Sequence, residues 1–77
     1  MNREEILRVI NKEFEKGSRV IVTAGEWDYI LEPDCPEDFT LEEDKLIIRV
    51  WELNEEGKKV YEAEADIIPL EKISDVY

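Results

Sequence analysis

The chain has 77 residues, of which 21 are acidic and 10 are basic, and its net charge is −11. It contains no histidine and a single cysteine. These counts exclude an intrachain disulfide, nucleophiles activated by histidine and most zinc sites. A domain this small buries only about 60% of the surface of its unfolded chain, which leaves little room for a large active-site cavity. No apolar run approaches the roughly 18 residues of a membrane span, and we expect a cytoplasmic protein, in a producing or infected cell, without membrane contact.

The negative charge is concentrated in the second two thirds of the chain. Residues 1–25 carry five basic and four acidic side chains, whereas residues 26–77 carry five basic and 17 acidic ones. A field of this sign repels nucleic acid and anionic membranes and attracts basic protein surfaces. It also keeps a small protein soluble. The sequence leaves open whether the acidity serves binding or only solubility.

We predict one domain over residues 1–77 that begins with an amphipathic helix at 2–16. Asn2 followed three residues later by Glu5 is a capping-box pattern. Gly17 stands where a left-handed residue ends many helices. One apolar stripe recurs at helical spacing along the segment and consists of Ile6, Leu7, Ile10 and Phe14.

The region from 18 to 77 is predicted to form strands, because apolar and polar residues alternate along most of it. The predicted strands cover 19–23, 27–32, 46–53, 58–68 and 73–77, with one helical turn at 70–72. An irregular stretch at 32–44 contains Pro33 and Pro36, seven acidic residues and no basic one. Since proline interrupts strand pairing, we interpret this stretch as an acidic loop.

This order of elements predicts an α+β fold, with an N-terminal amphipathic helix followed by a five-stranded, strongly bent antiparallel sheet or a small barrel. The residues IPLEKISDV at 68–76 resemble the turn and closing strand of Sm-like and SH3-like barrels. Sm-like proteins bind RNA through polar, basic and aromatic loops. The corresponding loops here are acidic, so no RNA-binding residue is carried over and we expect no direct nucleic-acid binding. A closed barrel and an open sheet both remain compatible with the sequence.

No catalytic residue, cofactor or metal site is expected. Cys35 follows Asp34 and precedes Pro36 and Glu37, and nearby negative charge disfavours the reactive thiolate. If a calcium loop began at Asp34, its sixth residue would be Phe39, where an EF-hand requires glycine. The acidic residues at 62–66 form a solvated row and not an acid–base pair across a cleft.

The aromatic residues are mainly expected in the core and in cross-strand pairs. Trp51 is the exception that we single out. If Ile48 and Val50 point inward, then Trp51 points outward, where it is either covered by the helix or marks an interface. The group as a whole consists of Trp27, Tyr29, Trp51 and Tyr61.

We therefore expect a small, acidic, non-enzymatic protein that antagonises a basic, nucleic-acid-binding protein by charge mimicry, with carboxylates replacing phosphates. In size and charge the chain resembles small acidic phage anti-defence proteins, including anti-CRISPR proteins. The alternative is an Sm-like homo-oligomeric scaffold or small-ligand-sequestering barrel, which would use apolar surface on Ile73, Val76 and Tyr77. The predicted partner-binding residues are Asp34, Glu37, Asp38, Glu42, Glu43 and Asp44 in the loop, Glu62, Glu64 and Asp66 on a strand, and Trp51.

Overall fold

The structure is a computed structural model of residues 1–77. It describes every side chain except those of Val50 and residues 61–64. The fold is α+β, as predicted, with one α-helix followed by strands. The elements are α1 (Arg3–Glu15), β1 (Val20–Ala24), β2 (Trp27–Leu31), a 3-10 turn (Pro36–Asp38), β3 (Phe39–Leu41), β4 (Lys45–Leu53), β5 (Lys59–Pro69), a second 3-10 turn (Leu70–Lys72) and β6 (Ile73–Val76).

The helix begins and ends at the residues that its local sequence indicates. Asn2 Oδ1 accepts a hydrogen bond of 2.9 Å from the Glu5 backbone N–H, and Asn2 Nδ2 donates to Glu5 Oε1 over 3.1 Å. These bonds satisfy a backbone donor that the first helical turn would leave unpaired. At the other end, Gly17 adopts a φ of 74°, a left-handed conformation that glycine tolerates best. The predicted cap and stop signals are therefore confirmed.

The strands form two three-stranded antiparallel sheets, with strand orders β2-β1-β6 and β3-β4-β5. The sequence predicted five strands in one bent sheet or a small barrel, and the additional sixth strand is β3. This three-residue strand lies within the stretch predicted as a loop, and it pairs Phe39 with Ile48 and Leu41 with Leu46. Three alternating residues between prolines and acids are too few to indicate a strand by periodicity. The pairing instead depends on β4, which already has a strong apolar pattern.

The helix and both sheets enclose a single hydrophobic core. Val20, Val22 and Leu31 contribute from the first sheet, and Leu46 and Ile68 contribute from the second. Ile6 and Ile10 of α1 are buried against them. Phe14 packs edge-on against Phe39, with ring centroids 6.0 Å apart and planes at 74°. Ile6, Ile10 and Phe14 of the predicted stripe thus cover the core, and Val9 packs against it where Leu7 was predicted. Phe14 also contacts the start of β3.

Candidate protein-binding surface

The predicted acidic loop is divided into two groups by β3. Glu37 and Asp38 lie in the first 3-10 turn, before β3, whereas Glu42 and Glu43 lie in the turn between β3 and β4. Residues in an antiparallel strand rise by about 3.4 Å each, so Asp38 and Glu42 are roughly 13 Å apart along the chain direction. Two acidic groups therefore stand at opposite ends of β3.

In the first group, Lys59 at the start of β5 holds two carboxylates. Its Nζ donates to Asp38 Oδ1 over 2.5 Å and to Glu37 Oε1 over 2.9 Å. The hydrogen bond from Lys59 lowers the pKa of Glu37 below its ordinary value of 4.5. The hydrogen bonds to Asp38 and then to Glu37 raise the pKa of Lys59. These two acids are therefore anchored to the sheet and partly neutralised, which reduces the charge they offer to a partner.

Trp51 lies next to this group and is half-buried. The ammonium of Lys59 lies 5.8 Å from the centroid of its ring, within the range of a cation–π contact. The indole Nε1 is buried and has no hydrogen-bond partner among the described side chains. Because Trp51 alternates with Leu46 and Ile48 along β4, it lies on the face of the sheet opposite to the core and the helical stripe. An interface at Trp51, the predicted alternative to cover by the helix, stays a prediction.

The second group lies where the β3–β4 turn meets the start of α1 and the second 3-10 turn. Glu42 pairs with Lys45 at 3.7 Å, while Glu43 and Asp44 are exposed. Glu43 lines a shallow polar groove together with Arg3 and Glu4 of the helix. The Asp44 backbone carbonyl accepts a hydrogen bond of 3.0 Å from the Leu70 N–H, and Asp44 lines a second groove together with Glu71. Sequence reasoning missed Glu4 and Glu71, since only the folded chain brings them beside this turn.

The remaining predicted acids are exposed or lie outside the described side chains. Asp34 and Asp66 are exposed. The side chains of Glu62 and Glu64 lie outside the described residues. The register between β4 and β5 shifts between Val50 and Trp51, whose partners are Glu64 and Glu62. The period-two spacing assumed for the acids of this strand is therefore interrupted by a bulge.

Trp27 is the more exposed of the two tryptophans. The sequence predicts that it packs in the core or in a cross-strand pair. Its exposed fraction is 70%, and that of Ile67, which lines the same pocket, is 63%. Tyr29, two residues along β2, is half-buried and packs against the core. The alternation of β2 is as predicted, but the core ends before it reaches Trp27. No signal in the sequence shows where along a strand the core stops.

Within the described residues, carboxylate and thiol groups do not come together in threes as a metal site would require. The described part of the chain also contains no helix that could cross a membrane. All described acidic side chains are exposed or half-buried, and no charged side chain is buried in that part of the chain.

Comparison with protein-family models found no match, and comparisons with curated proteins and with solved structures found none either.

Proposed function

We propose that the protein is a non-enzymatic binding protein that antagonises a basic, nucleic-acid-binding protein by presenting carboxylates in place of phosphates. One observation carries the proposal. Several acids of the predicted surface remain uncompensated, because the described ion pairs of that surface take up only Glu37, Asp38 and Glu42. The four acids Asp34, Glu43, Asp44 and Asp66 are exposed, and the ion pairs among the described side chains do not include them.

The uncompensated charge has an energetic cost that favours a binding role. Like charges on a compact domain repel one another and lower its stability, and a net charge of −11 exceeds the magnitude of about 2–8 that solubility requires of a small domain. A basic partner would relieve that repulsion on binding. Steering by such a field also raises association rates, and these rates fall with added salt. An antagonist that competes with nucleic acid, such as a phage anti-defence protein, would use both effects.

The fold suits this role as a rigid support. We propose in addition that the two sheets close into a small barrel related to the Sm-like and SH3-like barrels. Supporting this, the sheets share one core, and the second 3-10 turn leads directly from β5 of one sheet into β6 of the other. In such a barrel the acidic turns at the two ends of β3 would keep a fixed separation.

The test is affinity capture with charge-reversed variants. The first variant carries Asp34→Lys, Glu43→Lys and Asp44→Lys. The matched control carries Glu15→Lys, Glu52→Lys and Glu55→Lys, three exposed acids outside the proposed surface. Both variants have a net charge of −5, so any difference between them reports position and not total charge.

Wild type and control should retain one nucleic-acid-binding protein from a lysate of the source organism and release it with moderate salt or with competing DNA. The first variant should retain little of that nucleic-acid-binding protein. Equal retention by the two variants would contradict the proposed surface, and retention that is insensitive to salt would contradict charge mimicry.

A homo-oligomeric scaffold is the second candidate, because each sheet ends in edge strands that a second chain could pair with. The apolar surface available for self-association is smaller than the sequence predicts. Ile73 and Val76 are buried in the core, and of the three predicted residues only Tyr77 is exposed. Mutual repulsion of copies that each carry −11 opposes it further. Light scattering decides between a mass near 9.1 kDa, expected for the monomer, and a multiple of it.

A further inference from the structure

The strand β2 forms a free edge of the first sheet. Its residues, Trp27–Leu31, pair with β1 on one side, and no described strand pairs with them on the other. All of them except Asp28 are apolar or aromatic, and Trp27 and Ile30 are 70% and 52% exposed. A free, exposed and largely apolar edge is a place where a strand of another molecule can add. Copies of this chain would therefore add to one another at β2 unless that addition is opposed.

The backbone groups on the free side of β2 belong to Asp28 and Ile30. On β1, Ile21 donates a hydrogen bond of 2.7 Å to Tyr77 and accepts one of 3.0 Å from it, so the backbone groups of Ile21 face away from β2. The bonding direction alternates along an antiparallel strand, so the next residue of β1 faces β2, where its partner is Tyr29. The residues on either side of Tyr29 therefore turn their N–H and C=O groups outward, to the free edge.

Acidic residues recur along this edge at every second position except that of Ile30. Asp28 is exposed, and its Oδ1 accepts a hydrogen bond of 2.8 Å from the hydroxyl of Thr23 on β1, which fixes the carboxylate over the sheet. Glu26 and Glu32 are also exposed, and each lies one residue outside an end of the strand. Alternate residues of an extended chain point to the same face. The three acids would therefore share one face of any ladder that β2 formed with a new strand.

The spacing of these acids opposes the addition of an identical strand. Two copies related by a twofold axis would pair their β2 strands antiparallel. If the axis passed through Asp28, this residue would lie opposite the same residue of the second copy. If it passed through Tyr29, Glu26 would lie opposite Glu32, and if it passed through Ile30, Asp28 would lie opposite Glu32. Directly opposed residues have Cβ atoms about 4.5–5.5 Å apart, where like charges are destabilising. Each of these three registers therefore places carboxylates against one another.

We propose that Glu26, Asp28 and Glu32 together keep β2 from pairing with the β2 strand of a second copy, and so hold the chain as a monomer. The molecule that they exclude is another copy of this chain. The net charge alone does not give this effect, because it acts on every face, whereas opposed carboxylates act at one edge. The inference is independent of the proposed function, since these three acids are not part of the proposed partner-binding surface.

The test compares two variants of equal charge. In the edge variant the three acids become their neutral amides, with the substitutions Glu26→Gln, Asp28→Asn and Glu32→Gln. Asparagine at position 28 retains an oxygen that can accept the hydrogen bond from Thr23. The control carries Glu15→Gln, Glu55→Gln and Glu71→Gln, three exposed acids outside β2. Each variant removes three negative charges from −11 and so carries −8.

The mass in solution is measured by light scattering and sedimentation while the protein concentration is raised in tenfold steps. Wild type and control should remain near 9.1 kDa, the mass of one chain. The edge variant should reach at least twice that mass. An edge variant that stays monomeric at every concentration, or a control that associates to the same extent, would overturn the inference.

Amide hydrogen exchange followed by NMR locates the contact. In wild type the amides of Asp28 and Ile30 should exchange rapidly, whereas those of Tyr29 and Leu31, which face β1, should be protected. In the associated edge variant, exchange at positions 28 and 30 should slow at least tenfold. Association without that protection would place the contact elsewhere and overturn the inference. Protection of Asp28 and Ile30 in the wild-type monomer would show that the edge is already covered and would overturn it as well, even if the variant does not fold.

Discussion

Lys59 at the start of β5 donates hydrogen bonds to both Glu37 and Asp38, across 22 and 21 residues of sequence. The same ammonium lies 5.8 Å from the centre of the Trp51 ring. One side chain therefore joins the first 3-10 turn to the second sheet and covers a half-buried tryptophan. Removing it would release two carboxylates and expose an aromatic ring at the same time.

Lys59→Ala should raise the pKa of Glu37 toward its ordinary value of 4.5, because the hydrogen bond that lowers it is lost. The neighbouring Lys58→Ala is the control, since Lys58 pairs only with Glu56 at 3.7 Å among the described residues. It should leave the pKa of Glu37 unchanged. An NMR titration of the carboxylate carbons measures both. An unchanged Glu37 titration in Lys59→Ala would show that the hydrogen bond is not formed in solution.

The pH dependence of stability follows from the same contact. The pKa of Glu37 is lower in the folded than in the unfolded protein, so its contribution is complete above 4.5 and is lost as pH falls through the lowered value. Lys59, whose pKa is raised above 10.5, contributes fully below that pH and loses its contribution only at still higher pH. Urea unfolding should therefore show that the free energy of unfolding falls more between pH 7 and pH 3 for wild type than for Lys59→Ala. Equal losses would contradict this.

The two tryptophans should differ in fluorescence. Trp27 is 70% exposed, whereas Trp51 is half-buried with its Nε1 sealed from solvent. Trp51→Phe, which retains only Trp27, should emit at longer wavelength and be quenched more strongly by acrylamide than Trp27→Phe. A neutral quencher is needed because iodide would be repelled by the protein's charge. Equal quenching of the two variants would contradict the assigned environments.

The core should depend on the helix that covers it. Ile6 is fully buried between α1 and the sheets, and Ile6→Ala should lower the free energy of unfolding by about 2–5 kcal/mol. Ile30→Ala removes the same atoms from a 52% exposed position and should cost less than about 0.5 kcal/mol. Urea denaturation monitored by circular dichroism compares them. Similar losses in the two variants would contradict the placement of α1 on the core.

The sequence predicted those features that depend on neighbours a few residues away. Asn2 and Glu5 cap the helix where predicted, and Gly57, with a φ of 78°, lies in the predicted hairpin turn between β4 and β5. Helical spacing identified Ile6 and Ile10 as buried. Each signal is local because the hydrogen bond or the backbone conformation involved spans only one turn of chain.

Features that depend on distant parts of the chain were not predictable in this way. Lys59 reaches Glu37 only because the register of β4 on β5 places the start of β5 beside the first 3-10 turn. The exposure of Trp27 follows from where the core ends, which the alternation along β2 does not reveal. The division of the acidic stretch by β3 likewise requires the partner strand β4. All three features result from tertiary packing, which the local pattern of apolar and polar residues does not determine.

The measurement that tests the central claim most directly is a displacement experiment with the captured partner. Fluorescently labelled DNA is bound to that partner, and this protein is added while anisotropy is recorded at two salt concentrations. Charge mimicry predicts complete, stoichiometric displacement that weakens at higher salt. It also predicts little displacement by the variant carrying Asp34→Lys, Glu43→Lys and Asp44→Lys. A ternary complex in which the DNA stays bound, or equal displacement by that variant and its matched control, would contradict the account.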